Sequence, residues 1–343
     1  MKKQKKLALI KNIITVVFLV VAAVFFYRSL QSSIEKVMQE DFRLNWGLFG
    51  VAMLIYFLYF VFLASLWHFV TVLNRSSIPY WEAITCYAFS VLGKYIPGEI
   101  FMLLARFPAY ERRGVKPRKV TVNFYLENLG TLLGAAFLFI GSLLFFPNDL
   151  LDKYKWVIVA AFLGLAVCTN PRIINLILRF LERFLKGKEL QISITYPQML
   201  AVVFLFILNW ILVGSGFYLL VCSVYPISPH QLLYVAGVFG LAVMVGMVTF
   251  FAPSGLGVRE GLIVVGLSVI MPNEQAVIIS LLARVWATVA EVLFILLIYV
   301  IRKVGQRTGW IRTTRVLKLR KEYRRSILKK IGDRRRKRHR EEK

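Results

Sequence analysis

The chain has 343 residues, 58% of them hydrophobic and 18% charged, with 44 Lys and Arg against 18 Asp and Glu and a mean hydropathy of +0.65. Its apolar residues come in runs of about twenty with no period-2 alternation, which excludes an ordinary soluble domain and points to a polytopic helical membrane protein. The formal charge of +26 sits mostly in a few loops and at the two ends, where a soluble domain would spread charge over its whole surface.

In chain order the apolar segments are 10–27, 46–70, 81–104, 120–146, 156–169, 200–224, 231–251, 255–271 and 277–301. The first follows Lys2, Lys3, Lys5 and Lys6. It lacks a small-residue cleavage site before Tyr27-Arg28 and further spans follow, so it reads as a retained anchor. Lys and Arg mark cytoplasmic loops. They cluster at the N-terminus, in the loop Arg106 to Lys119 with six, in Arg172 to Lys188 with five, and in the C-terminal tail. Both termini are therefore expected in the cytoplasm. On this count segment 46–70 arrives inside and the loop after 81–104 is also inside, so 81–104 must enter and leave on the same side.

A re-entrant hairpin needs a breaker at its tip, and residues 93–106, GKYIPGEIFMLLAR, supply one. Pro97 cannot donate a backbone hydrogen bond and biases Ile96 away from the helical region. Gly93 and Gly98 allow the sharp turn. Backbone freed at membrane depth is tolerated only inside protein or along a wet cavity, so the motif reads as a cavity lining. A second interruption, APSGLGVREG at 252–261, contains Gly255 and Gly257. One broken segment in each half of a membrane protein points to a transporter-like site between two repeats. Strict inversion of the repeats would require one crossing fewer between 147 and 198, or a second re-entrant hairpin. The expected fold class is an all-α polytopic membrane protein with about eight transmembrane helices, one or two broken or re-entrant segments and a two-repeat architecture. Its domains are a transmembrane domain over 1–301 and a polybasic cytoplasmic tail over 302–343, disordered or interfacial. Segment 172–186, RIINLILRFLERFLK, reads as an interfacial helix on the cytoplasmic leaflet.

Asn123, Glu127, Gly130, Thr131 and Gly134 share one helix face, which puts an acid beside a small-residue seam. Arg284, Thr288 and Glu291 form a second polar stripe. Arg284 and Glu291 are two turns apart, about 10 Å, too far to pair with each other, so Glu127 is the expected partner of Arg284. Intramembrane charges cost about 2.5–3.5 kcal/mol each and default to functional residues; a purely structural ion-pair network is the competing reading. For Lys94, Glu99 and Arg106 the competing reading is snorkelling to the interface. The substrate-binding set read from these patterns is Lys94, Pro97, Gly98, Glu99, Arg106, Glu127, Gly255, Gly257, Arg259, Glu260, Arg284 and Glu291. In it Arg106, Arg284 and Lys94 would hold a phosphate, which suits a guanidinium fork. Glu127, Glu260 and Glu291 would balance charge, hold a cationic head group or carry a coupling proton.

No catalytic residue, metal or cofactor is expected. Cys86, Cys168 and Cys222 are scattered, as are His68, His230 and His339, without metal-ligand spacing. GLGVREG follows a membrane span and not a strand, so it is no dinucleotide fingerprint. The tail from Arg302 carries nineteen Lys and Arg against four acids, a run that anionic lipid attracts. A specific nucleic-acid partner is not expected, although any basic run binds polyanions.

GKYIPGEIFMLLAR, the YLENLG of 125–130, the PSGLGVREG of 253–261 and the LLARVWATVAE of 281–291 together resemble the flippase-like transmembrane family of lysylphosphatidylglycerol synthases, the membrane half of the multiple peptide resistance factor. The resemblance runs from the first span to the last. It implies a bacterial inner-membrane protein that moves a phospholipid, aminoacyl-phospholipid, glycolipid or polyprenyl phosphate between leaflets, with membrane lipids as partners. In full-length members a soluble aminoacyltransferase domain follows, and here a basic tail stands in that place. A phosphatidylglycerol lysyltransferase or its membrane subunit, linked to cationic-peptide resistance, is the alternative implied by the family. A membrane scaffold that recruits an envelope-modifying enzyme through its tail is the third reading.

Overall fold

The computed structural model describes residues 43–95, 100–147, 151, 153–176, 194–249, 255 and 257–307. The expected span 10–27, most of the expected interfacial helix 172–186 and the tail beyond 307 lie outside these residues, as do Pro97, Gly98 and Glu99. Two compact units divide the chain, 1–296 and 297–343. Within the second unit, the described residues are the C-terminal turns of the last helix.

The described residues are helical and contain no strand. α1 (Trp46–Leu73) starts at Asn45, whose side chain accepts from Gly47 and Leu48 backbone N–H at 3.1 and 3.2 Å, the usual way to satisfy the first free donors of a helix. It buries Ala52, Tyr56, Phe60, Leu63, Trp67 and Val70 on one stripe and exposes Val51, Leu54, Leu58 and Val72 on the other. A helix apolar on both faces suits lipid on one side and protein on the other. α2 (Tyr80–Ser90) continues into a 3₁₀ turn, Val91–Tyr95, and α3 (Ile100–Glu111) follows. α4 (Pro117–Phe145) opens with Pro117, α5 (Lys155–Cys168) is short, and α6 (Tyr196–Val224) is capped by Thr195 and Gln198. α7 (Leu232–Val248), α8 (Val258–Leu267) and α9 (Asn273–Arg307) complete the order.

Five helical stretches are long and apolar enough to cross a membrane: Trp46–Leu73, Pro117–Phe145, Tyr196–Val224, Pro229–Val248 and Asn273–Gly305. The described residues do not confirm the exact count of about eight, because the span 10–27 lies outside them and three other segments are short or broken. Segments 81–104 and 255–271 are broken into pieces that cannot cross alone. α5, with 14 residues, is about 21 Å long against a hydrocarbon core of about 30 Å, so it does not span the core by itself although the chain changes faces between α4 and α6.

Lipid tails are as apolar as leucine, so close packing and polar pairs, not transfer from water, hold such helices together. Gly130 and Gly134 of α4 meet α6, where a Cβ at Gly134 would stand 3.0 Å from the Phe206 backbone. Gly214 of α6 meets Ala236 of α7, and Gly237 of α7 meets Phe139 and Ser142 of α4. An aromatic cluster of Tyr56, Phe60, Trp210, Phe217, Phe239, Trp286 and Phe294 joins α1, α6, α7 and α9. Trp210 Nε1 donates to the Thr131 carbonyl at 2.9 Å.

Two hairpins stand in this frame. α2 and α3 run back to back: Arg113, just past α3, pairs with Glu82 near the start of α2, Cys86 Sγ contacts the Arg106 carbonyl at 3.7 Å, and Gly93 lies against the backbone of Phe101 and Met102. The segment therefore returns to the side it came from, as the basic loops require. α7 and α8 do the same. Gly246 approaches Gly255 near the tip, while Tyr234 donates to the Gly266 carbonyl at 2.9 Å near the base.

The hairpins enter from opposite faces. At one face the base of the first hairpin adjoins the start of α4, where Lys119 donates to the Arg75 carbonyl at 3.2 Å and Asn123 bonds Asn74 and Ser76. At the other face the end of α4 stacks Phe146 on Tyr234 of the second hairpin, with ring centroids 4.1 Å apart. Asn45 N donates there to the Ser223 carbonyl at 2.8 Å, which joins the start of α1 to the end of α6.

Candidate functional site

Each hairpin is tied by its second, short helix to the long helix that follows. In the first hairpin Arg106 of α3 makes a two-pronged ion pair with Glu127 of α4. In the second, Glu260 of α8 pairs with Arg284 of α9. The arrangement is the same and the charges are exchanged. A third pair crosses between the two: Lys94, in the turn near the first tip, bonds Glu291 of α9.

Arg106 is fully enclosed. Its guanidinium lies 4.0 Å from the Trp67 ring centroid, 4.9 Å from Tyr87 and 5.2 Å from Phe124, and its Nε donates to Ser90 Oγ at 3.0 Å. Three aromatic faces, a carboxylate and a hydroxyl account for every side of the group, in the manner of a desolvated cation–π site. Residue and partner are both buried.

The expected pair of Glu127 with Arg284 does not form. Each of these charges is met by the short helix of its own hairpin, which is nearer than the opposite one. Arg106 is likewise no part of a cytoplasmic loop; it lies inside α3, and Arg118 and Lys119 lie in the first turn of α4, so the loop between the two helices carries three of the six basic residues that the sequence count assigned it. Arg284 and Glu291 do not pair with each other, as their spacing along α9 requires.

The glycines of the second breaker have backbone work to do. Gly255 and Gly257 have φ of +69° and +81°, the left-handed region that side chains avoid. Gly257 precedes α8, and its N–H donates to Glu260 Oε2 at 2.7 Å, so this carboxylate both caps the helix and holds Arg284. Pro97, Gly98 and Glu99 fall outside the described residues.

Around the tips the structure adds residues that the sequence patterns passed over. Tyr59 of α1 lies within electrostatic reach of Glu127, Arg259 and Glu291. Tyr87 of α2 lies within reach of Arg106, Glu127, Tyr59 and Glu291. Charges of α3, α4, α8 and α9 therefore all act on these two phenols of α1 and α2. A tyrosine in mid-span was the available signal, since its hydroxyl at bilayer depth wants a polar neighbour. Arg259 rests its guanidinium 4.9 Å above the Phe239 ring, and its Nη2 is buried with no hydrogen-bond partner among the described residues. At the base of the first hairpin Arg113 Nε donates to Glu82 Oε2 at 2.8 Å. The Glu82 carboxylate holds this guanidinium above its ordinary pKa.

A family model described as "Lysylphosphatidylglycerol synthase TM region" matches residues 12–296. A search among curated proteins finds no match.

Proposed function

The chain belongs to the lysylphosphatidylglycerol synthase transmembrane-region family, a family tied by its description to lipid handling, and from that membership we propose that it carries lipid head groups between leaflets. The observation that supports this most is the pair of broken hairpins that enter from opposite faces and bring their charged tips to one centre. A lipid head group needs a polar route about 30 Å long through hydrocarbon. Two half-crossings placed side by side offer such a route, while the acyl chains stay outside. Hairpins of opposite sense also provide two similar packings that can exchange inward and outward access.

On this reading the protein is a multi-pass protein of the bacterial inner membrane. The basic loops lie in the cytoplasm with both termini, and the tail rests on anionic lipid. The cargo is a phospholipid, an aminoacyl-phospholipid, a glycolipid or a polyprenyl phosphate. The test is reconstitution into vesicles with head-group-labelled lipids and an impermeant quencher. The expected result is quenching beyond the half of the label that protein-free vesicles expose. Quenching that stops at half for every lipid class would refute the proposal.

The family's printed description supports a second reading, a membrane subunit of a phosphatidylglycerol lysyltransferase. Expression in a host without aminoacylated lipid, followed by mass spectrometry of its lipids, separates the two. Lysyl-phosphatidylglycerol appears only under the second.

A further inference from the structure

The set of cations at the hairpin tips is not uniform. Lys94, Arg106 and Arg284 each hold a carboxylate. Arg259 holds none among the described residues, and its buried Nη2 has no hydrogen-bond partner there. Buried polar groups in folded proteins are nearly always satisfied, and the exceptions call for a function or a ligand. Phe239 of α7 supports the guanidinium from one side. An aromatic face holds a cation in place without neutralising it, so the Nη2 donor keeps its need for an acceptor. The residue as a whole is only partly buried, as a group that must receive a ligand should be. Tyr59 stands within electrostatic reach, and its hydroxyl is of a type that can donate a further hydrogen bond.

We infer that Arg259 is the residue that receives an anionic phosphodiester of the cargo lipid at the centre between the hairpins. This deepens the translocase reading and rests on it for the word cargo; the anion site itself stands on the geometry. A guanidinium presents a planar fork of donors that matches two phosphate oxygens, which an ammonium cannot do. Arg106 and Arg284, whose residue type alone suggested phosphate contacts, are already engaged by Glu127 and Glu260. The site therefore selects lipids that carry a phosphodiester over lipids whose head group is sugar alone.

Purified full-length protein in detergent is titrated with phosphatidylglycerol or with diglucosyl diacylglycerol, and bound lipid is counted by native mass spectrometry. The wild type is expected to favour phosphatidylglycerol. Arg259→Gln should lower its occupancy by about tenfold or more, the worth of a charge-assisted hydrogen bond, and leave the glycolipid unchanged. Its melting temperature should not fall, because no carboxylate among the described residues loses a partner. Arg259→Lys should fall between the two. Equal phosphatidylglycerol occupancy in wild type and Arg259→Gln overturns the assignment, as does an equal loss of both lipids. If Arg259→Gln does not fold, Arg259→Lys takes its place in the comparison, and the same two results overturn the assignment. Inorganic phosphate that stabilises lipid-free protein as much as phosphatidylglycerol does would assign the site to a free anion and overturn its lipid identity. Translocation is measured on the same preparations. Wild type that binds through Arg259 and moves nothing refutes the translocase reading alone. Undiminished movement by Arg259→Gln refutes this site alone.

Discussion

Arg106 and Glu127 form a pair that the membrane interior makes expensive to break. With both groups buried, removal of one leaves the other as an uncompensated charge, at a cost of about 3–5 kcal/mol. Arg106→Gln and Glu127→Gln should each lower the melting temperature in detergent sharply. Arg106→Met combined with Glu127→Gln should recover most of the loss, since Ser90 Oγ already donates to the Tyr87 carbonyl at 2.7 Å and does not depend on the arginine. Because aromatic rings close the remaining faces of Arg106, the double variant should also translocate lipid; a stable and inactive double variant would return this pair to the cargo site. That Glu127 is buried and faces protein was legible from its place beside Gly130 and Gly134. Its partner was not. Spacing along one helix says which residues share a face, but which face of another helix comes opposite is decided by packing between segments that the chain separates by 21 residues.

At the scale of elements, Gly93 decides whether the first hairpin closes. A Cβ there would sit inside contact distance of the Met102 and Phe101 backbone, and backbone cannot swing away as a side chain can. Gly93→Leu should therefore force α2 and α3 apart, with loss of several kcal/mol by overpacking and of transport with it. Ile100→Leu, at a residue 60% exposed on the outside of α3, should change neither melting temperature nor transport. Equal tolerance of both would remove the case for a tight hairpin. The Glu82–Arg113 pair at the base is partly exposed on both sides, so its removal should cost under about 1 kcal/mol. These elements were readable because a breaker is a chemical fact of the chain: proline lacks the donor and glycine lacks the Cβ, whatever surrounds them. The second hairpin was visible as an interruption, with re-entry one of two alternatives that the sequence left open. That α8 doubles back along α7 depends on Gly246 meeting Gly255 and on Tyr234 reaching Gly266, contacts that no periodicity announces. Tyr59 and Tyr87 went unnoticed for a related reason, since an aromatic in an apolar run has the same pattern whether it faces lipid, core or a charged centre.

For the whole molecule, two re-entrant hairpins resolve the conflict that the basic loops left open. Whether 231–251 and 255–271 are two crossings or one returning segment, they bring the chain back to the side it left, so the basic loops alone do not choose between the two and the contacts between α7 and α8 do. With α7 and α8 as one returning segment, the second hairpin adds no net crossing, as the first does not. The bases of the hairpins then lie on opposite faces, as the Lys119–Arg75 bond at one and the Phe146–Tyr234 stack at the other require. This makes a prediction that uses four single cysteines in a background where Cys86, Cys168 and Cys222 are replaced. Ser77→Cys and Arg112→Cys flank the first hairpin; His230→Cys and Glu274→Cys flank the second, and all four positions are exposed. In intact cells an impermeant thiol reagent should label His230→Cys and Glu274→Cys and spare Ser77→Cys and Arg112→Cys. Permeabilisation should make all four reactive. Different labelling of the two positions that flank one hairpin would mean that the segment crosses. Labelling of all four from outside would mean that both hairpins open to one face, and the inverted arrangement on which alternating access depends would be lost. The positive-inside rule sets the sign of the expected result: the loop after α3 holds Arg112, Arg113 and Lys116 and the first turn of α4 adds Arg118 and Lys119, while the stretch from Tyr225 to Gln231 holds neither Lys nor Arg.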